Sequence, residues 1–244
     1  MENQWIGYEM TTDEGSLLCL FNVGAGDIAP DEARPHCVRL RLTFQDKGEE
    51  GMGAQDERDE FESRLETIDP QLDKLKAVHI ATLRGQGCFD SIYYLPEQSG
   101  DAFAKAAEKA CKGCALEIEG GPDPEWEIFE SLHPSEEEVA FYYDGVILNE
   151  MGEDGDTPDA PRSVEHCLLL PDDAAAEVVI AKAGKAGFAL DERESTDDEL
   201  AVQLVLTKEH PATLEAISTE RQTLTEIAHA SGGVYDGWAS PIVK

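Results

Sequence analysis

The sequence predicts an α+β protein made of two ferredoxin-like βαββαβ sandwiches, the first with an extra N-terminal β-hairpin. Three observations carry this expectation. Val38, Leu40, Leu42 and Phe44 alternate with Cys37, Arg39, Arg41 and Thr43, and Leu200, Val202, Leu204 and Leu206 alternate with Ala201, Gln203, Val205 and Thr207, the period-2 pattern of half-buried strands. Helix-spaced apolar residues and glycine-marked turns separate such strands. The element order from Cys37 onward, βαββαβ, returns from Val164 onward without any repeat in sequence. Right-handed crossovers then fold each unit most simply as a ferredoxin-like sandwich.

In chain order, residues 5–21 read as a hairpin turned at the polar stretch 11–15, and residues 47–53 as a charged, Gly-rich loop. Phe61, Leu65, Ile68 and Leu72 recur at spacings of 4, 3 and 4, one face of a helix that Pro70 is expected to end. Residues 77–83 and 88–95 are strands joined around Gly85, Gln86 and Gly87. Asp101 is expected to cap a helix with Phe103, Ala107, Ala110, Cys111 and Cys114 on its apolar side, and residues 115–119 return as a strand. Trp126 and Phe129 then pack a short helical turn onto this half, and a boundary near Pro134 gives domains 1–134 and 135–244.

The second half opens with a helix from Ser135 to about Met151, where Ser135 and Glu138 have capping-box spacing. An acidic Gly/Pro linker, 152–161, is expected to be solvated. Residues 164–170 form a strand, and Asp172 or Asp173 caps a helix that ends before Gly187. A strand starts at Phe188, and 196–199 make an acidic turn. Pro211 is expected at the first position of a helix burying Leu214, Ile217, Leu224, Ile227 and Ala228, which Gly232 stops. The last strand, 234–243, contains Pro241 and therefore belongs at a sheet edge.

Composition narrows the function classes. The 52 acidic and 19 basic residues give a net charge of −33, a field that repels phosphate backbones and anionic lipid and favours encounter with a basic protein. Solubility or a salt-rich habitat explains such a charge equally well. No basic, apolar leader and no long apolar run is present, which places the expectation in the cytoplasm, with the six cysteines reduced.

Few residues point to chemistry. Cys111-Lys112-Gly113-Cys114 has C-x-x-C spacing, but both sulfurs belong to the apolar side of a helix end, where free Cys packs as a small hydrophobe. Glu165 and Cys167 share one face of a strand and His166 takes the other, so the three cannot bind one metal. The acidic linker lacks the ligand spacing of a calcium loop, and no dinucleotide, Walker or nucleophile-elbow motif occurs. No cofactor and no enzyme activity is expected. The most specific stretch is Gly232-Gly233-Val234-Tyr235-Asp236-Gly237-Trp238, whose two aromatics either close the core from an edge strand or anchor a partner.

Residues 135–244 resemble the RraB family, regulators of ribonuclease E activity. The features carrying the resemblance are the linker E-D-G-D-T-P-D-A (153–160), V-E-H (164–166), Asp172-Asp173, A-G-F (186–188) and Y-D-G-W (235–238). The resemblance implies a ferredoxin-like domain that inhibits the endonuclease by binding its basic scaffold region, without cleaving RNA. The first half resembles a bacterial family of unknown function often found beside such domains. Together these features lead to an expected protein-binding regulator of a ribonuclease E-like enzyme, with Glu165, His166, Tyr235, Asp236, Gly237 and Trp238 as contact residues and no direct contact to nucleic acid or membrane. A redox or small-molecule protein using the N-terminal domain, and a self-associating structural module, are the alternatives.

Overall fold

The computed structural model describes residues 3–13, 15–195 and 200–244; the acidic turn expected at 196–199 lies outside them. The chain separates into two compact units, Met1–Val139 and Ala140–Lys244. Each has its own antiparallel sheet, so the α+β class holds.

The first unit runs β1 (Trp5–Thr12), β2 (Gly15–Asn22), β3 (His36–Thr43), α1 (Gln55–Glu66), α2 (Asp69–Leu75), β4 (Val78–Gly85), β5 (Cys88–Leu95), α3 (Gly100–Ala110), β6 (Ala115–Pro122) and α4 (Glu127–Ser131). Its sheet has the order β1-β2-β4-β5-β3-β6, with the β1–β2 hairpin added beside β4. Alternation along β3 and β5 sends Val38, Leu40, Leu42, Phe89, Tyr93 and Leu95 to one face, where they pack with Phe61, Leu65, Ile68, Phe103 and Ala107 from the helical segments. The opposite face, with Phe21, Ile80, Ile92 and Tyr94, is closed by Trp126, Phe129 and Leu132.

That closure has a definite construction. Trp126 stacks on Tyr94 with ring centroids 4.0 Å apart, and its indole N–H donates to the Arg34 carbonyl at 3.1 Å. Asp123 accepts from the backbone N–H groups of Glu127 and Ile128 at 2.9 and 3.1 Å, satisfying donors that the first turn of α4 leaves open, and also from the Tyr94 hydroxyl. Trp126 sits at φ 56, a left-handed conformation costly for a bulky residue and held here by these bonds.

The second unit contains α5 (Glu136–Glu153, entered from the first unit), β7 (Arg162–Leu170), α6 (Asp173–Lys185), β8 (Ala189–Ser195), β9 (Val202–His210), α7 (Leu214–His229) and β10 (Val234–Ala239), with sheet order β10-β7-β9-β8. Its core joins Leu168, Leu170, Val202, Leu204 and Leu206 of the sheet to Ala176, Val179, Ala183, Leu224 and Ala228 of α6 and α7. The Ser135–Glu138 capping box forms: the Ser135 N–H donates to Glu138 at 2.7 Å, and the Glu138 N–H to the Ser135 hydroxyl at 3.2 Å. Asp172 caps α6 through the Ala175 N–H at 2.8 Å, and Gly187 follows at φ 93.

Five local expectations are corrected. Pro70 does not end a helix; α1 stops at Glu66, and Pro70 occupies the first turn of α2, where its missing N–H costs nothing. Asp101 lies inside the first turn of α3, and the capping position, Ser99, makes no side-chain bond to the helix, its hydroxyl donating instead to the Leu75 carbonyl at 2.8 Å. Pro211 is not the first residue of α7, which begins at Leu214 after Thr213, whose hydroxyl accepts from the Ala216 N–H at 3.3 Å. The last strand ends at Ala239, short of Pro241.

The fifth concerns a single residue of the acidic linker, most of which is exposed as expected. Asp156 is buried in an ion pair with Arg162 at 2.5 Å and accepts the Val243 N–H at 2.7 Å. Arg162 also donates to the carbonyls of Ala160, Thr157 and Pro241. The linker is thereby tied to the segment after β10, and the Asp156 carboxyl is held below its usual range chiefly by the Arg162 guanidinium.

Candidate functional site

The Y-D-G-W stretch forms β10, an edge strand paired with β7. In a regular strand residues 235 and 238, three apart, would point to opposite faces. The register instead pairs Tyr235 with Leu168 and Trp238 with His166, with an irregularity between Tyr235 and Gly237. This bulge turns both aromatics to the helix-covered face, and Gly237 accommodates it at φ 154. The preceding Gly233 is required by space, since an added Cβ would lie 2.3 Å from the Leu170 side chain and 2.5 Å from the Leu169 carbonyl.

Behind β10 the polar handles of the aromatics enter two linked constructions. Trp238 Nε1 donates to Asp144 Oδ1 at 2.7 Å, and the other Asp144 oxygen receives Arg221 Nε at 2.9 Å. Asp144 is the only buried residue of α5 among those described, and Arg221 occupies the buried face of α7 between Ile217 and Leu224. One carboxylate therefore joins α5, α7 and β10.

The second construction is a proton-ordered chain. His210 Nδ1 lies 2.7 Å from the Pro211 carbonyl, which only accepts, so this nitrogen carries the proton. In a neutral ring its Nε2 then accepts, which makes His166 Nε2, 3.3 Å away, the donor. His166 Nδ1 is left as acceptor for the Tyr235 hydroxyl at 2.8 Å. Burial, with smaller contributions from His210 and Lys208, pushes the His166 pKa down to about 3, so the ring is neutral at ordinary pH. Burial and the nearby Asp144 raise that of Tyr235. His166 and Tyr235 hold a shape; neither is set to exchange protons near neutrality.

The structure separates the six expected contact residues. Glu165 and Asp236 are exposed, Gly237 and Trp238 are partly exposed, Tyr235 is packed against the core, and His166 is fully buried. Three residues of the construction were missed in the sequence: Asp144, His210 and Arg221. Each leaves a signal, being a lone polar side chain at an apolar-spaced position: Asp144 within V-A-F-Y-Y-D-G-V-I-L, His210 closing the alternation of β9, and Arg221 between Ile217 and Leu224 on one helical face.

In the first unit, burial pushes the Cys111 thiol up to about 11 and raises that of Cys114 too, which disfavours the thiolates that redox chemistry needs. A cavity of about 500 Å³ lies over β3, β5 and β6, lined by Cys37, Arg39, Leu83, Ile92, Gly120 and Ile128 among others. Among the described residues no group of three or more His, Cys, Asp or Glu could hold a metal, and no helix is long and apolar enough to cross a membrane.

Comparison with known proteins follows the same division. Residues 142–240, which contain the whole Asp144–Trp238 and His166–Tyr235 construction, match the family described as Regulator of ribonuclease activity B. The protein of that name from Actinobacillus succinogenes is 28% identical over 97 residues, covering 38% of this chain and 68% of the relative. Its namesake from Xenorhabdus nematophila is 29% identical over 97 residues, covering 38% and 69%. A solved structure of an unknown protein from Galdieria sulphuraria aligns over 86% of this chain and 99% of its own at 14% identity, but its TM-score of 0.24 supports no argument. Residues 3–133, just over half of the 244, match a family of unknown function, DUF695. The chain thus belongs to the DUF695 family through its first half and carries in its second a domain similar to Regulator of ribonuclease activity B.

Proposed function

We propose that this protein is a non-enzymatic, cytoplasmic regulator that binds a basic segment of a ribonuclease E-like endonuclease and lowers its activity. The observation that carries the reading is the match of residues 142–240 to Regulator of ribonuclease activity B, in a chain whose net charge of −33 suits a basic protein and repels RNA. Of the six contact residues, Glu165, Asp236 and the outer edge of Trp238 meet the partner. Tyr235 and His166 hold β10 from behind, and Gly237 sets the bulge that presents it. Both units are read as ferredoxin-like; the order β10-β7-β9-β8, and β4-β5-β3-β6 within the first sheet, support this. The working division remains 1–134 and 135–244.

The test is an RNA-cleavage assay with a purified ribonuclease E-type enzyme and the full chain. Cleavage is expected to slow at low salt and to recover as salt screens the charges. Unchanged cleavage at low salt overturns the reading, and inhibition insensitive to salt overturns its electrostatic basis.

A further inference from the structure

We infer that the apolar surface of α5 is a docking site for an amphipathic, basic segment of a partner protein. The inference deepens the proposed function in that it rests on a protein partner, but it does not require that partner to be a ribonuclease.

Helix α5 reads EEEVAFYYDGVILNEMGE, with apolar residues around its whole circumference. A helix of that kind is ordinarily buried on all sides. Here the one side chain buried among those described is the acidic Asp144, pinned to Arg221 and Trp238. Val139, Tyr142, Leu148 and Met151 are partly covered, but four large apolar residues stand exposed: Phe141 at 47%, Tyr143 at 38%, Val146 at 38% and Ile147 at 42%. Eleven large hydrophobic residues are exposed among the described residues, and four of them fall within these seven positions, so the exposure is concentrated. Tyr143, Val146 and Ile147 stand at i, i+3 and i+4, which makes one continuous stripe, and Phe141 flanks it. A concentrated apolar patch with a polar rim marks a site of protein association.

Charge selects the occupant. Glu136, Glu137 and Glu138 precede the stripe, Glu150 and Glu153 follow it, and α5 contains no Lys or Arg. A second copy of this chain would set carboxylates against carboxylates, with −33 on each molecule. A helix with an apolar face and basic residues at its ends would bury the stripe and meet the acidic turns. That is the helix-in-groove mode with charge complementarity at the rim. The Asp144 pin holds α5 by polar bonds to Arg221 and Trp238.

The test uses the full chain and a fluorescent synthetic Leu/Lys amphipathic peptide of the same 18-residue length as α5. The combined substitutions Tyr143→Gln, Val146→Gln and Ile147→Gln keep the charge and a good helix former at each position. They are expected to weaken binding about tenfold or more, and Ile147→Gln alone about threefold, each a loss typical of interface anchors. Val178→Gln, the same chemistry on the exposed side of α6, should leave binding unchanged, and circular dichroism should show the fold intact in all variants. Equal binding by the triple variant, no binding by the unmodified chain, or an equal loss from Val178→Gln overturns the inference. So does a dimer of the unmodified chain that the triple variant dissociates, since the occupant would then be a second copy. The endonuclease assay separates the two proposals. A chain that docks the peptide at α5 without any effect on cleavage leaves this inference standing and removes the proposed function; a chain that slows cleavage but does not bind the peptide does the reverse.

Discussion

In the first unit Trp126 is fully buried, stacked on Tyr94, with its N–H spent on a backbone carbonyl; in the second, Trp238 is partly exposed on an edge strand, with its N–H spent on the carboxylate of another helix. Each is associated with an aspartate. Asp123 satisfies the start of α4 so that Trp126 and Phe129 can close an apolar face, whereas Asp144 is itself the joint between α5, α7 and β10. The first joint depends on apolar area with a local cap, the second on a buried ion pair. The physical difference is that apolar closure degrades gradually with lost volume, while an ion pair broken on one side leaves an unpaired buried charge.

The comparison is broken most directly by removing one member from each joint. Asp144→Ala and Phe129→Ala are each expected to cost about 3–5 kcal/mol in urea unfolding. Replacing Arg221 by Met alongside Asp144→Ala should recover much of the first loss, because the orphaned charge is gone, and no partner substitution should do so for Phe129→Ala. If the double variant is no better than Asp144→Ala, the ion-pair account of the second joint is wrong.

Acid is expected to weaken both units, since each holds a neutral histidine, fully buried His166 and partly buried His79, which stacks on Tyr93. His166 falls to about 3 and His79 to about 4, burial being the main cause for both. With folded values depressed below about 6.5, the unfolded chain binds the proton first as pH drops, so this stability is complete above pH 6.5 and lost on descent toward the folded values. Each histidine contributes a slope of about 1.4 kcal/mol per pH unit in that window, or roughly 2 kcal/mol between pH 6.5 and 5. Urea midpoints that stay constant over this range would refute the neutral assignment.

Tyr235→Phe removes the hydroxyl donated to His166 Nδ1 and leaves that buried nitrogen unsatisfied, an expected loss of about 1–3 kcal/mol. A stability equal to the unmodified chain would sink the hydrogen-bond order deduced for the chain from Tyr235 to Pro211. Gly237→Ala meets no atom within 4 Å, so only its φ of 154 resists, at roughly 1 kcal/mol or somewhat more. Differential scanning calorimetry should show the smallest shift of the series for this variant; a large one would mean that the bulge carries more of the second joint than the ion pair does.

Much of the fold is legible in the residues themselves. The Val38–Phe44 alternation, the Ser135–Glu138 box, the Asp172 cap and Gly187 each specify their element through bonds or periods confined to a few neighbours. Pro70 shows how local reading fails, since proline suits the first turn of a following helix as well as the end of a preceding one. The linker fails for another reason: Asp156 looks solvated in an acidic stretch, and its partner Arg162 and the Val243 N–H reach it only in the folded chain.

The candidate site divides in the same way. The sequence by itself singled out Tyr235, Gly237 and Trp238, because glycine and aromatic side chains have strong local preferences, and it put their strand at a sheet edge through Pro241, which the structure leaves just outside the strand. Only the tertiary structure decided that the bulge turns both aromatics to the same side, that Asp144 and Arg221 receive one of them, and that His166 and His210 receive the other. Those partners come from α5, β7, β9 and α7, and neither period nor capping reports on residues so far apart in the chain; register and packing alone bring them together.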